Sequence, residues 1–277
     1  MTTHLPQGAG SRRRATRVGV IGSGAIGLPV IDALLKGRVP GCNLAGILTR
    51  SPLSADLAGF AASSLYDLID RSDLVVEAAG HAALEQLGPP IIESGRDLVV
   101  LSVGALVDDD LFAKLTPDQG GRLLVSTGAV GGLDTLNAAM LVEPLESVSL
   151  TSRKPAKLLV HPWMSSELIL RLSSGIGEVE AFTGSAREVV KLFPESANIA
   201  ATLALATVGF DNLKVRMVGV SDAAYVEHRV SAAGRAGSYE FVFRNRPADL
   251  NPRTSAIVPF SVIRALRGLQ RGTIIGV

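Results

Sequence analysis

Four histidines are the side chains of this chain able to exchange a proton near neutral pH: His4, His81, His161 and His228. His4 falls in an Arg-rich N-terminal segment, and His161 precedes a proline. His81 follows Gly80 at the end of an apolar run, where it could touch a ligand or cap the next helix. His228 stands inside an alternating run, Tyr225 to Ala232. It shares a strand face with Val226 and Val230, while Tyr225, Glu227 and Arg229 face the other way. Such a residue can be an acid/base group or a core histidine held by one hydrogen bond, and position alone favours the second. Arg153 and Lys154 could receive two carboxylates, the arginine bidentately and the lysine as a point charge, or form a solvated basic turn. Asn198 opens a helical run, where it could hydrogen-bond a carboxamide or simply cap the helix.

A second kind of chemistry is written in Arg17-Val-Gly-Val-Ile-Gly-Ser-Gly-Ala-Ile-Gly27. An apolar strand ends in Gly22, Gly24 and Gly27, with Ala25 and Ile26 between them, and then enters a helical pattern. Gly22 permits a tight turn, Gly24 lets the backbone approach a pyrophosphate, and Gly27 lets helix and strand pack closely; the helix N-terminus faces the phosphates. This context predicts a dinucleotide site. NAD-selective sites usually carry a carboxylate about 20 residues further on, for the ribose 2′-hydroxyl. Here the segment reads Gly46-Ile-Leu-Thr-Arg-Ser51. Arg50, with Thr49 and Ser51, could hold a 2′-phosphate, so the cofactor is expected to be NAD or NADP, with NADP slightly favoured.

Elements that must position these groups follow from hydrophobic spacing. A helix is expected over Ala25–Lys36 and strands near Asn43–Leu48, Leu74–Ala78, Leu98–Leu101 and Leu123–Ser126, separated by helical or turn-rich stretches. The alternation implies an α/β class, a Rossmann-type doubly wound parallel sheet with ligands at the carboxyl ends of its strands. Loops Ala79-Gly80-His81, Ser102-Val103-Gly104 and Thr127 to Asp134 then qualify as site loops. Beyond Asp134 the rhythm changes to period-two runs at Ser147–Ser152, Glu178–Thr183, Leu213–Val220, Tyr225–Ala232 and Tyr239–Arg244, with helices at Arg187–Leu192 and Asn198–Ala206. These predict an antiparallel sheet in a second, α+β substrate and dimerisation domain. An amphipathic C-terminal helix is expected to start at Asn251-Pro252 and return to the first domain. The expected division is thus a disordered tail over 1–16, a dinucleotide domain over 17–134, a substrate domain over 135–250 and the C-terminal helix over 251–277.

Composition narrows the function classes. The 277 residues are 47% hydrophobic, enough for a sizeable core, and 27 basic residues balance 26 acidic ones. No net field is available to attract nucleic acid or an anionic membrane, so a small-molecule partner recognised locally is expected. No run approaches the roughly 18 apolar residues of a membrane helix. The single cysteine, Cys42, excludes an intrachain disulfide and a Cys-cluster zinc site, and no metal site is expected. A reducing compartment follows, with the cytoplasm the best fit. Cys42 lies in a turn before the second strand, away from the carboxyl-end loops, which disfavours a thiol nucleophile.

Several segments together resemble the L-aspartate dehydrogenase family, from about Arg17 to Leu269. They are Glu77-Ala-Ala-Gly-His81, Ser126-Thr-Gly-Ala-Val-Gly-Gly-Leu-Asp134, Thr151-Ser-Arg-Lys-Pro155, Phe193-Pro-Glu-Ser-Ala-Asn-Ile-Ala-Ala-Thr202 and Asn251-Pro-Arg-Thr-Ser255. The resemblance implies NAD(P)-dependent oxidative deamination of L-aspartate to iminoaspartate, which hydrolyses to oxaloacetate and ammonia or feeds NAD biosynthesis. It also implies a two-domain homodimer without metal. It places cofactor contacts on Ala129 and Asn198 and the catalytic histidine on His228. Gly80, His81 and Lys154 are carried as further site candidates, the first two for cofactor and the last two for substrate. Two departures bear on the transfer: Ser196 stands where an asparagine is common, and Val226 stands where an asparagine precedes the histidine by two. The competing readings are a Rossmann reductase or dehydrogenase for another small amino or oxo acid, and a nicotinamide-nucleotide sensor without turnover.

Overall fold

In a computed structural model, residues 14–175 and 177–270 are described. The first half is built from β1 (Thr16–Ile21), α1 (Gly27–Leu35), β2 (Cys42–Leu48), α2 (Leu65–Arg71), β3 (Leu74–Glu77), α3 (His81–Glu93), β4 (Asp97–Val100), α4 (Asp109–Leu115) and β5 (Leu123–Val125). Its five strands pair in the order β2-β1-β3-β4-β5, all parallel. β3 is buried at every position and β4 at all but its first, the pattern of strands covered on both faces. The chain reverses direction across the sheet between β1 and β3, and in this topology the ligand crevice lies at the carboxyl ends of those two strands.

The second half contains α5 (Leu133–Val142), β6 (Ser147–Pro155), α6 (Ser166–Ser173), β7 (Glu178–Ser185), α7 (Ala186–Leu192), α8 (Asn198–Ala206), β8 (Lys214–Val220), β9 (Val226–Gly234), β10 (Gly237–Asn245), β11 (Pro247–Ala248), β12 (Asn251–Ser255) and α9 (Val258–Gln270). Its main sheet runs β10-β9-β6-β8-β7. The expected all-antiparallel sheet is corrected here: β6 and β8 are parallel, and the other pairs are antiparallel. Strand alternation in the sequence reports faces and carries no information on direction, which depends on the intervening crossover. β6 also runs through Arg153 and Lys154 to Pro155 rather than ending at Ser152.

Two other expectations change. Asn251–Ser255 pairs with β11 as a short strand, so the C-terminal helix begins at Val258 and not at Asn251-Pro252. A proline suits a strand as well as a helix start here, because the pairing is at an edge, where a missing N–H is tolerated. Thr16 already belongs to β1, and Met1 to Arg13 of the expected tail lie outside the described residues.

One hydrophobic core joins the halves. Leu84, Leu98, Val100, Val103 and Leu106 of the first half belong to the same buried cluster as Leu136, Leu150, Ala200, Leu203 and Met217 of the second. A second cluster on the opposite face of the parallel sheet gathers Val18, Val20, Val30 and Ile31 with Val262, Ile263 and Leu266 of α9. The C-terminal helix is therefore a structural part of the nucleotide half.

Candidate active site

The glycine loop forms one wall of a groove at the β1/β3 switch point. Gly22 has φ +96°, and a Cβ there would lie 2.6 Å from the Ala78 carbonyl oxygen; a Cβ on Gly27 would lie 2.0 Å from that of Gly22. Gly24, by contrast, has no heavy atom within 4 Å of its Cβ position, and the space faces a groove of about 520 Å³. Gly22, Ser23, Gly24, Thr49, Arg50, Ser51, Ala78 and Ala79 line it. A side chain at Gly24 would fill this cradle, so the backbone is laid open to a bulky anion at the start of α1. These residues fit a dinucleotide phosphate. Ser23 Oγ lies 2.9 Å from Thr49 Oγ1, tying the two loops of the groove together.

Deeper in the fold, a cleft between the two halves is lined by Ile26, Ser126, Ala129, Lys154, Ser196, Asn198 and His228, with Glu195, Arg253 and Ser255 among the residues completing it. Alternation along β6 and β9 places the reactive pair. Val148, Leu150, Ser152 and Lys154 are the buried face of β6, the first three opposite Ala232, Val230 and His228 of β9. The β6 face is apolar in the core and turns polar at Ser152 and Lys154, and His228 joins it from β9. His228 is only 1% exposed. Its Nδ1 lies 2.9 Å from Ser152 Oγ. In the tautomer that donates Nδ1–H to Ser152, the Nε2 lone pair is left for the cleft. Burial, reinforced by the Lys154 charge, pushes the imidazole down to about 3, so the ring is neutral at working pH.

Lys154 is 4% exposed and donates from Nζ to the Ser196 carbonyl oxygen at 3.0 Å. Burial pulls its ammonium down to about 8. The contact uses the Ser196 backbone, so the side-chain departure at this position leaves it intact. Orientation of His228 likewise comes from Ser152 rather than from position 226, where Val226 is buried.

Asn198 is the first residue of α8, and Ala197 takes the N-cap position. Its side chain does not cap. Asn198 Oδ1 accepts the Gly104 N–H at 2.9 Å and approaches His81 Nε2 at 3.1 Å. With Oδ1 held as acceptor, His81 carries its proton on Nε2, and the Asn198 amide hydrogens remain for a ligand in the cleft. His81 itself lines neither the cleft nor the groove. In this structure its ring contacts Asn198, because α3 starts at His81 and turns the ring toward α8. Nor is it the cap of α3, which is Gly80, with φ +102°. Gly80 and Ala25 do not line either cavity. Arg153 points to the opposite sheet face, paired with Glu178 and Glu227, and leaves Lys154 alone of the two at the cleft.

Glu77 escaped the sequence reading as a functional residue. It is 1% exposed and accepts four hydrogen bonds, from Ala79 N, Gly80 N, Ser102 N and Ser102 Oγ. This carboxylate locks together the loops that follow β3 and β4. A charged residue closing an otherwise apolar strand at its carboxyl end was the available signal. Ser152 could have been found by parity with Val148 and Leu150. The Ala129 loop is fastened from both sides, since Asn245 Nδ2 donates to Ala129 O at 3.0 Å and Ser126 Oγ lies 3.0 Å from Ser261 Oγ of α9.

Comparison with known proteins places this geometry in a lineage. Residues 134–269 match the family model described as aspartate dehydrogenase, C-terminal, and residues 22–119 match the homoserine dehydrogenase NAD-binding domain. An L-aspartate dehydrogenase of Methanosarcina barkeri is 33% identical over 270 residues, covering 94% of this chain and 99% of that protein. One from Pseudomonas aeruginosa is 40% identical over 202 residues, 71% of this chain and 74% of that protein. The chain belongs to the L-aspartate dehydrogenase family. The aspartate dehydrogenase structure from Thermotoga maritima aligns with TM-score 0.69 at 25% identity, covering 94% of this chain and 99% of that one. A hyperthermophilic archaeal homoserine dehydrogenase shares the fold at TM-score 0.56 and 11% identity. Membership makes the first half an NAD(P)-binding domain and the chain an oxidoreductase acting on an amino-acid CH–NH₂ group. Among the described residues, no helix is long and apolar enough to cross a membrane.

Proposed function

We propose that this enzyme oxidises L-aspartate with NAD(P)⁺, giving iminoaspartate and then oxaloacetate and ammonia. The observation that carries the reading is the convergence of a neutral buried imidazole, His228, and a buried ammonium, Lys154, on one cleft beside Asn198 and Ala129. Bound NAD(P)⁺ supplies the hydride acceptor. Gly22 and Gly24 with Arg50 would hold its phosphates and ribose, with Gly27 letting α1 pack close beneath them, while Asn198 and Ala129 would hold its carboxamide end. Lys154 pairs with the substrate α-carboxylate and so sets Cα beside His228.

His228 Nε2 takes a proton from the substrate ammonium, because only the neutral amine can release hydride from Cα. Burial holds its basicity down and the Lys154 charge lowers it further; a carboxylate on Lys154 cancels the second contribution and raises the basicity. Once that proton has passed to solvent, the neutral ring takes a proton from the water that adds to the iminium carbon and returns it to the nitrogen that leaves as ammonia. Ser152 keeps the ring oriented through both steps.

Residues Thr49, Arg50 and Ser51 present no carboxylate at the end of β2, and Arg50 is exposed in the groove, which supports acceptance of NADP at least as well as NAD. A homodimer in the cytoplasm, with a place in NAD biosynthesis, completes the proposal; it follows the family and the single buried Cys42. The deciding assay offers L-amino acids, and 2-oxo acids with ammonia, with each cofactor. L-Aspartate and oxaloacetate plus ammonia are expected to exceed glutamate, alanine and homoserine by a wide margin in kcat/KM. Preference for another of these acids overturns the reading. Arg50→Ala is expected to raise KM for NADP more than for NAD; a wild type that strongly prefers NAD, with unchanged NADP kinetics in the variant, removes the cofactor assignment.

A further inference from the structure

Two cations line the cleft: Lys154, buried beside His228, and Arg253, at the mouth. They are carried by different strands, β6 and β12. Consecutive residues of one loop hold them both. Lys154 Nζ donates to the Ser196 carbonyl oxygen at 3.0 Å, and Arg253 Nη1 pairs with Glu195 Oε2 at 2.5 Å. One loop therefore fixes both cations at the same cleft. Glu195 itself lines the cleft.

We propose that Arg253 is the receptor for the side-chain carboxylate of the substrate, and that Glu195 occupies that receptor as an internal stand-in until substrate displaces it. The assignment rests on the reading of the cleft as a dicarboxylic amino-acid site. The α-carboxylate must lie near the reacting carbon and takes the inner cation, Lys154; the distal carboxylate then reaches the mouth. Arg153, the sequence-adjacent alternative, is committed to Glu178 and Glu227 on the other face of the sheet. An arginine can grip a carboxylate with two parallel hydrogen bonds, which fixes the distance between the acid groups as well as their charge. Glu195 and Arg253 are 63% and 43% exposed, and an exposed pair of this kind contributes little to stability, so exchanging one carboxylate for another is undemanding. The stand-in keeps Arg253 aimed at the cleft when no substrate is present, since Arg253 N also donates to Asn251 Oδ1 and fixes the strand beneath it.

Binding of succinate and propionate to NADPH-saturated protein tests the proposal without turnover. Wild type is expected to hold succinate at least about 10-fold more tightly than propionate, the usual worth of a charge-assisted pair. Arg253→Met should abolish that ratio with unchanged NADPH affinity and melting temperature, Arg253→Lys should keep part of it, and Glu195→Gln should tighten succinate by removing its competitor. In turnover, Arg253→Met should raise KM for L-aspartate about 10- to 100-fold with kcat changed far less. Succinate binding unaltered by Arg253→Met, or a wild type without preference for the diacid, overturns the proposal. If wild type fails to oxidise L-aspartate while Arg253→Met still loses succinate, the diacid receptor stands and the substrate assignment falls.

Discussion

His228 and Lys154 show how a residue's chemistry is set by where burial leaves it. A solvated imidazole would share its proton with water near pH 6.5; this one stays neutral down to about 3 because burial strips the charged ring of solvent and the Lys154 charge adds to the cost. The unfolded chain therefore binds more protons between those values, and stability present above about pH 6.5 is lost as pH falls through the window. His228→Gln should flatten that acid limb in a denaturation series at several pH values. His228→Ala should lower kcat by roughly 10²- to 10⁴-fold with nucleotide affinity nearly unchanged, as for a positioned acid/base group. Wild-type turnover in that variant would reassign the role. Lys154, pulled down to about 8, is a cation below that pH and neutral above it. The free-enzyme profile of kcat/KM for L-aspartate should thus fall as pH rises through about 8, and Lys154→Arg should move that limb to higher pH. An unmoved limb would assign it to another group.

At the scale of elements, α3, α8 and the short helix Val103–Val107 meet at Gly104. A Cβ there would lie 2.6 Å from His81 Cε1, 2.7 Å from His81 Nε2 and 3.1 Å from Asn198 Oδ1. The three elements can approach only because this position carries no side chain. Gly104→Ala forces His81 and Asn198 apart, at a cost of about 1–3 kcal/mol for overpacking. The expected outcome is weaker nicotinamide-nucleotide binding, near 10-fold in Kd, with a smaller effect on KM for the amino acid. A variant that lowers only the melting temperature would separate Asn198 from the cofactor. Glu77 performs a related task by charge, pinning the ends of β3 and β4 so that Gly80 and Ser102 hold their loops.

The whole molecule is arranged so that its last helix secures its site. α9 buries Val262, Ile263 and Leu266 against α1 and the parallel sheet, and its Ser261 and Val258 reach the Ser126 loop and the cleft. Arg253 and Ser255 sit just before it, so the mouth of the cleft is fastened to the nucleotide half. Leu266 is fully buried, and Leu266→Ala should cost about 2–5 kcal/mol in chemical denaturation. Because the helix carries the segment holding Arg253, the same variant should raise KM for L-aspartate. Lost stability with an unchanged KM would show that the strand pairing of β11 and β12 alone positions that segment.

Much of this was legible along the chain. Local spacing determined the glycine turn, the alternating strands of the parallel sheet and the start of α8 at Asn198, because turn geometry and hydrophobic period act between near neighbours. The motifs also carried the family and, with it, His228 as a candidate, while Lys154 was a candidate for its charge alone. What the chain could not reveal was which of Arg153 and Lys154 faces inward, since that depends on how far β6 continues beside β8 and β9. It could not show that His81 braces Asn198 across 117 positions, or that Glu195 and Arg253 form a pair. Those contacts exist only because one hydrophobic core fuses the two halves and brings several distant segments to a single cleft. Burial then decides the chemistry: the same lysine on the solvated face of β6 would be an ordinary surface cation, and the same histidine an ordinary titrating ring.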